Sequence, residues 1–109
     1  MFKKTKIKEI IFTIVEKTKK DYNPEKIILF GSYAQGNSTA DSDIDLLVIK
    51  DSNYRRDERD KEIRELLKDI KFPLDIFVYT PKEAKKFYNL KGSFINEVFN
   101  KGKVIYERQ

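Results

Sequence analysis

The first apolar positions of the chain follow a helical repeat. The spacing i, i+3, i+4, i+7, i+8 is typical of one buried helix face. It is occupied by Ile7, Ile10, Ile11, Ile14 and Val15. This pattern predicts an amphipathic helix from about residue 4 to residue 20. Asn23 and Pro24 predict its end, because the residue before a proline disfavours helical backbone.

Three later segments carry short apolar runs, which predict buried strands. They cover residues 26–30, 43–49 and 74–79. The first run stops at Gly31 and Ser32, which predict a tight turn, and residues 33–35 continue it as a short helix. Residues 37–42 have the small polar composition of a loop. Residues 104–106 predict a short terminal strand.

The other apolar positions predict further helices. One helix is expected over residues 57–70, with apolar positions Ile63, Leu66, Leu67 and Ile70. Thr80 as N-cap, Pro81 in the first position and Glu83 in the third predict another helix start. A last helix carries an apolar face made of Phe94, Ile95, Val98 and Phe99.

These elements together predict an α+β fold, α/β-like in its alternation of strands and helices. We expect a mixed β-sheet of about three to four strands flanked by helices. No linker rich in Gly, Ser or Pro divides the 109 residues. Residues 1–109 are therefore expected to form a single domain.

The chain contains no cysteine and no histidine. Disulfides, thiol catalysis, a histidine general base and the usual zinc ligands are therefore excluded. Chemistry must rest on carboxylates, hydroxyls, backbone amides, lysine or arginine. If a metal is bound, oxygen ligands favour magnesium, manganese or calcium.

The 23 basic residues exceed the 18 acidic ones, which gives a net charge of +5. Such a charge suits an anionic partner, but interspersed charges of both signs are at least as typical of a solubilising surface. No apolar run approaches the roughly 20 residues that span a bilayer, and the N-terminal residues lack a signal-peptide pattern. We therefore expect a soluble, cytoplasmic protein that does not bind a membrane.

Asp43 and Asp45 stand at the start of the predicted strand 43–49. Side chains two positions apart on a strand point to the same face. Two neighbouring carboxylates repel each other unless a cation lies between them or one is protonated. A divalent metal would explain the pair, although most such pairs in arbitrary proteins lie in surface loops or helix caps. The apolar run that follows, residues 46–49, favours the metal hypothesis.

Asp75 is a single carboxylate in an otherwise apolar strand. A buried carboxylate without a partner is unfavourable. If its strand neighbours the Asp43–Asp45 strand, Asp75 becomes a third metal ligand; the alternative is a salt bridge to a Lys or Arg. Gly31 and Ser32, at a strand-to-helix turn, could bind phosphate through backbone amides and a hydroxyl. The joint pattern predicts a two-metal phosphoryl-transfer site.

The two segments Leu29–Gly36 and Ser42–Val48 carry a family resemblance. Gly-Ser, followed after ten residues by Asp-x-Asp, resembles the signature of the polymerase-β-type nucleotidyltransferases. The whole chain is similar to the minimal nucleotidyltransferases, short antitoxin-like proteins encoded beside HEPN-domain partners. Many relatives carry arginine after Gly-Ser, whereas this chain has Tyr33 and Gln35. Neutralisation of the phosphates would then depend on metal or on a lysine from elsewhere.

The resemblance implies the polymerase-β-type nucleotidyltransferase fold and a set of site residues. The residues expected to bind the nucleotide are Gly31, Ser32 and Ser42. The residues expected to be catalytic and to bind metal are Asp43, Asp45 and Asp75. The last of these is the expected activator of the acceptor hydroxyl. The implied cofactor is Mg²⁺ or Mn²⁺, with ATP as substrate.

The resemblance also implies a function. The expected activity is transfer of AMP from ATP to a partner protein, a HEPN-type toxin that the modification would silence. The alternatives are an antitoxin that acts by stoichiometric binding, with weak or no catalysis, and a subunit that modifies a small-molecule acceptor. Direct nucleic-acid binding is disfavoured, because the run Tyr54-Arg55-Arg56 is explained equally well by the charged helix that follows it.

Overall fold

The structure is a computed structural model that describes residues 4–39 and 41–109. In chain order its elements are α1 (Lys4–Tyr22), β1 (Lys26–Phe30), α2 (Ser32–Gln35), β2 (Ile44–Ile49), a 3₁₀ turn (Arg56–Glu58), α3 (Asp60–Leu66), β3 (Leu74–Tyr79), α4 (Pro81–Phe87), α5 (Phe94–Lys101) and β4 (Lys103–Glu107). Position 40 in the predicted loop 37–42 and positions 1–3 of the predicted domain lie outside the described residues.

The four strands form one mixed sheet in the order β3-β2-β1-β4. β1 pairs antiparallel with β2 and with β4, whereas β2 pairs parallel with β3. The parallel pair is connected through α3, as expected for a crossover between parallel strands. The predicted α+β class with a mixed sheet and flanking helices is confirmed.

Each face of the sheet is covered by helices. α1 and α3 cover one face, where Ile14 and Ile63 meet the side chains of Ile27, Leu46 and Val78. α4 and α5 cover the other face, where the core is made of Ile28, Leu47, Ile49, Ala84, Ile95 and Val98. β2 is therefore buried on both faces, as its continuous apolar run predicts.

Two predicted boundaries are wrong. The helix expected over 57–70 is a 3₁₀ turn followed by α3, which ends at Leu66. Leu67 has φ −101° and ψ 12°, outside the helical range, and Ile70 N–H then bonds Leu67 O in a turn. The strand expected from residue 43 begins at Ile44, whose N–H donates to Pro73 O. Apolar spacing identifies buried side chains, but it does not separate a helix from the turn that follows it.

The predicted start of α4 is confirmed in atomic detail. Thr80 Oγ1 accepts the N–H of Glu83 at 3.1 Å, and Glu83 Oε1 accepts the N–H of Thr80 at 2.9 Å. This is a capping box, which satisfies two backbone donors at the helix start. In the described part of the chain, no helix combines the length and apolar character needed to cross a membrane.

Candidate functional site

The structure brings the predicted carboxylates to the first residues of two neighbouring strands. Asp45 of β2 and Asp75 of β3 are directly paired in the parallel register. Their side chains lie on the same face of the sheet, because paired residues of neighbouring strands share a face. Asp43 is exposed and lies just before β2. The condition set by the sequence, that the Asp75 strand neighbour the Asp43–Asp45 strand, is met.

Two neighbouring carboxylates act on Asp45. Burial raises the pKa of Asp45, and the nearby charges of Asp75 and Asp43 raise this pKa further. A raised pKa means that the ionised carboxylate is held in an unfavourable environment. A bound cation would relieve both the repulsion and the loss of hydration.

Asp75 does not lie in the buried environment that the apolar strand predicts. Its side chain is 49% exposed, and Arg64 Nη2 lies 4.0 Å from Asp75 Oδ1. Arg64 is held in place by Asp60 Oδ2 at 2.6 Å and by Leu74 O at 3.3 Å. Both expected environments therefore occur together: Asp75 is the neighbour of Asp45 and also faces an arginine.

Arg64 is the residue near this site that the sequence reasoning missed. The only sequence signal was its i, i+4 spacing from Asp60, which is typical of an ordinary surface ion pair. Its position beside Asp75 depends on how α3 packs next to β3. Tyr33 does not take the place of the arginine that many relatives carry after Gly-Ser. Its ring packs against Phe72 at a centroid distance of 6.2 Å.

Gly31 ends β1 directly beside Asp45. Phe30 is paired with Asp45 in the antiparallel register, so the turn at Gly31 adjoins the carboxylate. Gly31 has φ 75° and ψ −156°, a conformation that favours glycine. A Cβ at this position would also collide with Asp45 Oδ2. The sequence explained Gly31 by close approach of a phosphate, and the structure adds the close approach of Asp45.

Ser32 opens the four-residue helix α2, whose N-terminus has no side-chain cap. The first N–H groups of a helix have no acceptor within that helix. Ala34 and Gln35 both donate their N–H groups to Gly31 O, so the turn is well formed. Because Gly31 lies against Asp45, the start of α2 adjoins the paired carboxylates. Phosphate binding by Gly31 and Ser32 stays a prediction.

Ser42 has a structural role in the loop before Asp43. Its Oγ accepts the N–H of Thr39 at 2.8 Å, and its own N–H donates to Thr39 O at 3.1 Å. These bonds close the loop that delivers Asp43 to the site. The Ser42 and Thr39 hydroxyl oxygens also lie 3.5 Å apart, and either can be the donor. Nucleotide binding by Ser42 stays a prediction.

Aromatic rings lie next to the carboxylates on the same face of the sheet. The ring centroid of Phe94 lies 5.4 Å from that of Phe30 and 5.1 Å from that of Phe77. Phe77 and Phe94 remain 37% and 36% exposed. Phe87 and Phe99 pack against the α4–α5 core, and Phe94 is partly exposed. Tyr88 is half exposed.

The donor set fits a hard divalent cation, because all three groups are carboxylates. Within residues 4–39 and 41–109, however, no three acidic side chains are close enough to form a complete metal cage. Mg²⁺ characteristically binds through one or two carboxylates and takes its other ligands from substrate phosphates and water. The open arrangement of Asp45 and Asp75 is compatible with that mode of binding, and three-ligand coordination stays a prediction.

Comparison with known proteins gives a consistent family. The family model described as "Polymerase beta, Nucleotidyltransferase" matches residues 12–109. MJ0604, a candidate protein adenylyltransferase of Methanocaldococcus jannaschii, is 32% identical over 84 residues, which cover 75% of this chain and 78% of the relative. MJ0141, named in the same way in the same organism, is 34% identical over 98 residues, which cover 84% of this chain and 95% of the relative.

Solved structures share the fold. A candidate nucleotidyltransferase from Sulfolobus solfataricus superimposes with a TM-score of 0.66 at 20% identity, covering 92% of this chain and 79% of that chain. A toxin–antitoxin complex with AMP-PNP gives a TM-score of 0.57 at 22% identity, covering 93% of this chain and 73% of that chain.

Proposed function

Because the chain belongs to the polymerase β nucleotidyltransferase family, we propose that it transfers AMP from ATP to a hydroxyl group of a partner protein, a HEPN-type toxin. The observation that carries this proposal is the pairing of Asp45 with Asp75, next to the Gly31 turn. The Gly31 turn, which is suited to binding phosphate, lies against Asp45 of the carboxylate pair, which is suited to binding a cation. A triphosphate that binds together with its metal needs both features.

The proposed metal ligands are Asp43, Asp45 and Asp75, with Mg²⁺ or Mn²⁺ as the ion. When bound, the ion would supply positive charge to the triphosphate oxygens and to the departing pyrophosphate. The carboxylates would supply part of its coordination, and the substrate phosphates and water would supply the rest. Asp45 is the central member, because both neighbouring carboxylates act on its pKa.

The proposed nucleotide-binding residues are Gly31, Ser32 and Ser42. Gly31 allows close approach of the triphosphate, and Ser32 donates through its hydroxyl and the uncapped start of α2. Ser42 orders the loop that carries Asp43 and can donate its hydroxyl hydrogen. These residues would bind and orient the phosphates before transfer.

In the proposed reaction, the acceptor hydroxyl oxygen attacks the α-phosphorus of ATP. The bond between the α-phosphorus and the oxygen that bridges to the β-phosphate breaks, and pyrophosphate leaves. The proton of the hydroxyl passes to Asp75, which is half exposed and so reachable from solvent. Arg64 holds a positive charge beside Asp75.

The choice of a protein acceptor is supported by the comparisons. The M. jannaschii relatives are named candidate protein adenylyltransferases. A structural neighbour is a toxin–antitoxin complex with AMP-PNP. The assignment of the toxin to the HEPN class follows from the resemblance of the sequence to the minimal nucleotidyltransferases. We place the reaction in the cytoplasm.

The test is to incubate the purified chain with α-labelled ATP, Mg²⁺ or Mn²⁺, and the protein encoded by the adjacent gene. We expect labelled AMP covalently attached to that protein, and none when the metal is chelated or when Asp43→Asn replaces the wild type. Tight binding of the partner without any transfer, under either metal, would establish a binding-only antitoxin and overturn the enzymatic proposal. Transfer to a small molecule alone would overturn the protein acceptor.

A further inference from the structure

Three phenylalanine rings form a cluster directly beside the paired carboxylates. Phe30 is the cross-strand partner of Asp45, and Phe77 follows Asp75 by two positions on β3. Both rings therefore lie on the face of the sheet that carries the carboxylates. Phe94, the first residue of α5, lies against both of them, with its ring centroid 5.4 Å from that of Phe30 and 5.1 Å from that of Phe77. We call these three residues the aromatic cluster.

The aromatic cluster is only partly covered. Phe77 and Phe94 are 37% and 36% exposed, whereas Ile95, the next residue of α5, is 1% exposed. Toward the end of β3, away from the carboxylates, the cluster is continued by Tyr79, whose ring lies 5.7 Å from that of Phe94. Arg56 lies over the ring of Tyr79, 4.4 Å from its centroid. The ring farthest from the carboxylates thus already has a partner, and exposed ring surface remains on Phe77 and Phe94.

The exposed rings and the Gly31 turn lie on opposite sides of the carboxylates along the strands. Gly31 directly follows β1, at the end of the strand, and adjoins Asp45. Phe77 lies in the other direction, two residues into β3 from Asp75, which is about 7 Å along the strand. This distance is comparable to the length of one ribose. A nucleoside triphosphate with its α-phosphate at the carboxylates and its outer phosphates at the Gly31 turn can therefore place its base on the rings.

The exposed surface of the cluster suits a nucleobase better than a protein. A specific protein interface buries about 800 Å² of each partner, which is far more than the exposed parts of two phenylalanine rings provide. Single exposed aromatics are ordinary, but these two are in contact and adjoin the site that we propose for a nucleotide. Aromatic rings bind nucleobases by stacking, which is tolerant of base identity because every base has a π face.

We propose that the base of the bound nucleotide stacks on the rings of Phe77 and Phe94. The proposed stacking rests on the proposed function, because that function places the α-phosphate at Asp45 and Asp75. Phe30 supports the ring of Phe94 from the β1 side. The stacked base fixes the nucleoside in one orientation, which holds the α-phosphorus in place for the attacking hydroxyl.

The first test measures nucleotide binding without the partner protein. An ATP analogue with a non-cleavable α,β bridge and inorganic tripolyphosphate, each with Mg²⁺, are titrated by calorimetry. Phe77→Leu and Phe94→Leu keep an apolar side chain but lose the aromatic face. We expect each substitution to raise the dissociation constant of the analogue by about tenfold and to leave that of tripolyphosphate unchanged. Phe94→Tyr, which retains the aromatic face, should bind the analogue as the wild type does.

The control is Tyr88→Leu, which removes an exposed aromatic ring elsewhere on the same side of the sheet. Tyr88 is 50% exposed and packs against Phe99 of α5 at a centroid distance of 5.4 Å. Phe99 lies beside Lys26 at the start of β1, the end remote from Gly31. This variant should bind both ligands with wild-type affinity. Circular dichroism and urea unfolding check that every variant is folded.

The possible outcomes separate the stacking from the function on which it rests. Unchanged affinity for the analogue in both leucine variants, or an equal loss of affinity for the analogue and for tripolyphosphate, would overturn the stacking alone. A wild type that binds neither ligand would overturn both the stacking and the proposed function. The second test measures binding of the partner protein in the absence of nucleotide, and both leucine variants should bind it as the wild type does. Loss of partner binding with unchanged affinity for the analogue would make the rings a docking surface and overturn the proposal.

Discussion

The charged groups near the two ends of β3 are in opposite electrostatic environments. At its start, Asp75 lies beside Asp45, and the pKa of Asp45 is raised. At its end, Glu83 lies 2.6 Å from Arg59, and the hydrogen bond from Arg59 lowers the pKa of Glu83 to about 2. One end concentrates charge of a single sign, and the other matches opposite charges.

We call the end of β3 near Arg59 and Glu83 the matched end, because opposite charges are paired there. The charged side chains at this end form several hydrogen bonds. Arg59, whose side chain is 8% exposed, donates to Glu83, to Tyr54 O at 2.8 Å and to Val78 O at 3.3 Å. Arg56 lies over the ring of Tyr79, 4.4 Å from its centroid, and also contacts Glu83. These contacts tie the loop after β2 to the start of α4. A buried charge with a complete set of partners is a structural element.

The carboxylate end lacks such compensation. Apart from Arg64, which reaches Asp75 at 4.0 Å, no cation of residues 6–39 and 41–109 forms an ion pair with Asp43, Asp45 or Asp75. Unbalanced charge on an otherwise stable sheet is typical of a binding site, because the missing partner is supplied by the ligand. The comparison therefore assigns stability to one end of β3 and, in the function that we propose, chemistry to the other.

The largest expected effect is on transfer. Asp45→Asn should reduce the rate of AMP transfer by about a thousandfold or more, because it removes charge from the centre of the proposed metal site. The rate is measured with labelled ATP under saturating metal and acceptor. Glu58→Gln removes an exposed carboxylate that lies 3.6 Å from Lys61. It is the control and should retain the wild-type rate. A similar loss in both variants would contradict the assignment.

The next largest effect is on stability at the matched end. Glu83→Gln should lower the free energy of unfolding by about 2 to 3 kcal/mol, because the poorly hydrated Arg59 loses its charged partner. Urea unfolding measures this change. Glu58→Gln should cost less than about 0.5 kcal/mol, as expected for an exposed pair. If the two substitutions cost the same, the Arg59–Glu83 pair has no special structural role.

The same pair predicts a pH dependence. The pKa of Glu83 falls from 4.5 to about 2 in the folded chain, so its contribution to stability is present above pH 4.5 and is lost as the pH falls toward 2. The difference in unfolding free energy between wild type and Glu83→Gln should therefore be constant from pH 7 to about pH 5 and shrink below pH 4.5. A difference that stays constant down to pH 3 would show that the ionised form of Glu83 is not what stabilises the fold.

The smallest effect has the opposite sign. Asp45→Asn should raise the stability of the ligand-free chain by about 0.5 to 1 kcal/mol, because it removes a partly buried charge that two neighbouring carboxylates repel. Solvent screening keeps the gain small. Thermal unfolding without metal or nucleotide measures it. A clear loss of stability would mean that the ionised carboxylate is structurally satisfied and that the two ends of β3 are not different in kind.

Local patterns in the sequence predicted much of this comparison. The capping box depends on Thr80 and Glu83, which are three positions apart, and the strand containing Asp45 depends on a continuous apolar run. Both features could therefore be predicted from the sequence. Asp43 and Asp45 were predicted from their spacing together with the apolar run that follows them. Gly31 and Ser32 were predicted from the strand-to-helix turn, and the family resemblance added the spacing between the two motifs.

The remaining features depend on contacts between distant segments. Arg59 lies 24 residues from Glu83, and nothing local indicates their pairing. Arg64 reaches Asp75 only because α3 packs beside β3. The burial of Asp75 was overestimated because β3 is an edge strand, and an apolar run does not reveal where a strand lies in the sheet.

The most direct test of nucleotidyl transfer is the position of the label that reaches the acceptor. Parallel reactions with α-labelled and γ-labelled ATP, each with the partner protein and Mg²⁺, are resolved for protein-bound label and for free pyrophosphate. We predict that the α label becomes protein-bound in an amount equal to the pyrophosphate released, and that the γ label leaves entirely with pyrophosphate. Protein-bound γ label would instead show phosphoryl transfer, and absence of both labels from the acceptor would contradict nucleotidyl transfer to the partner protein.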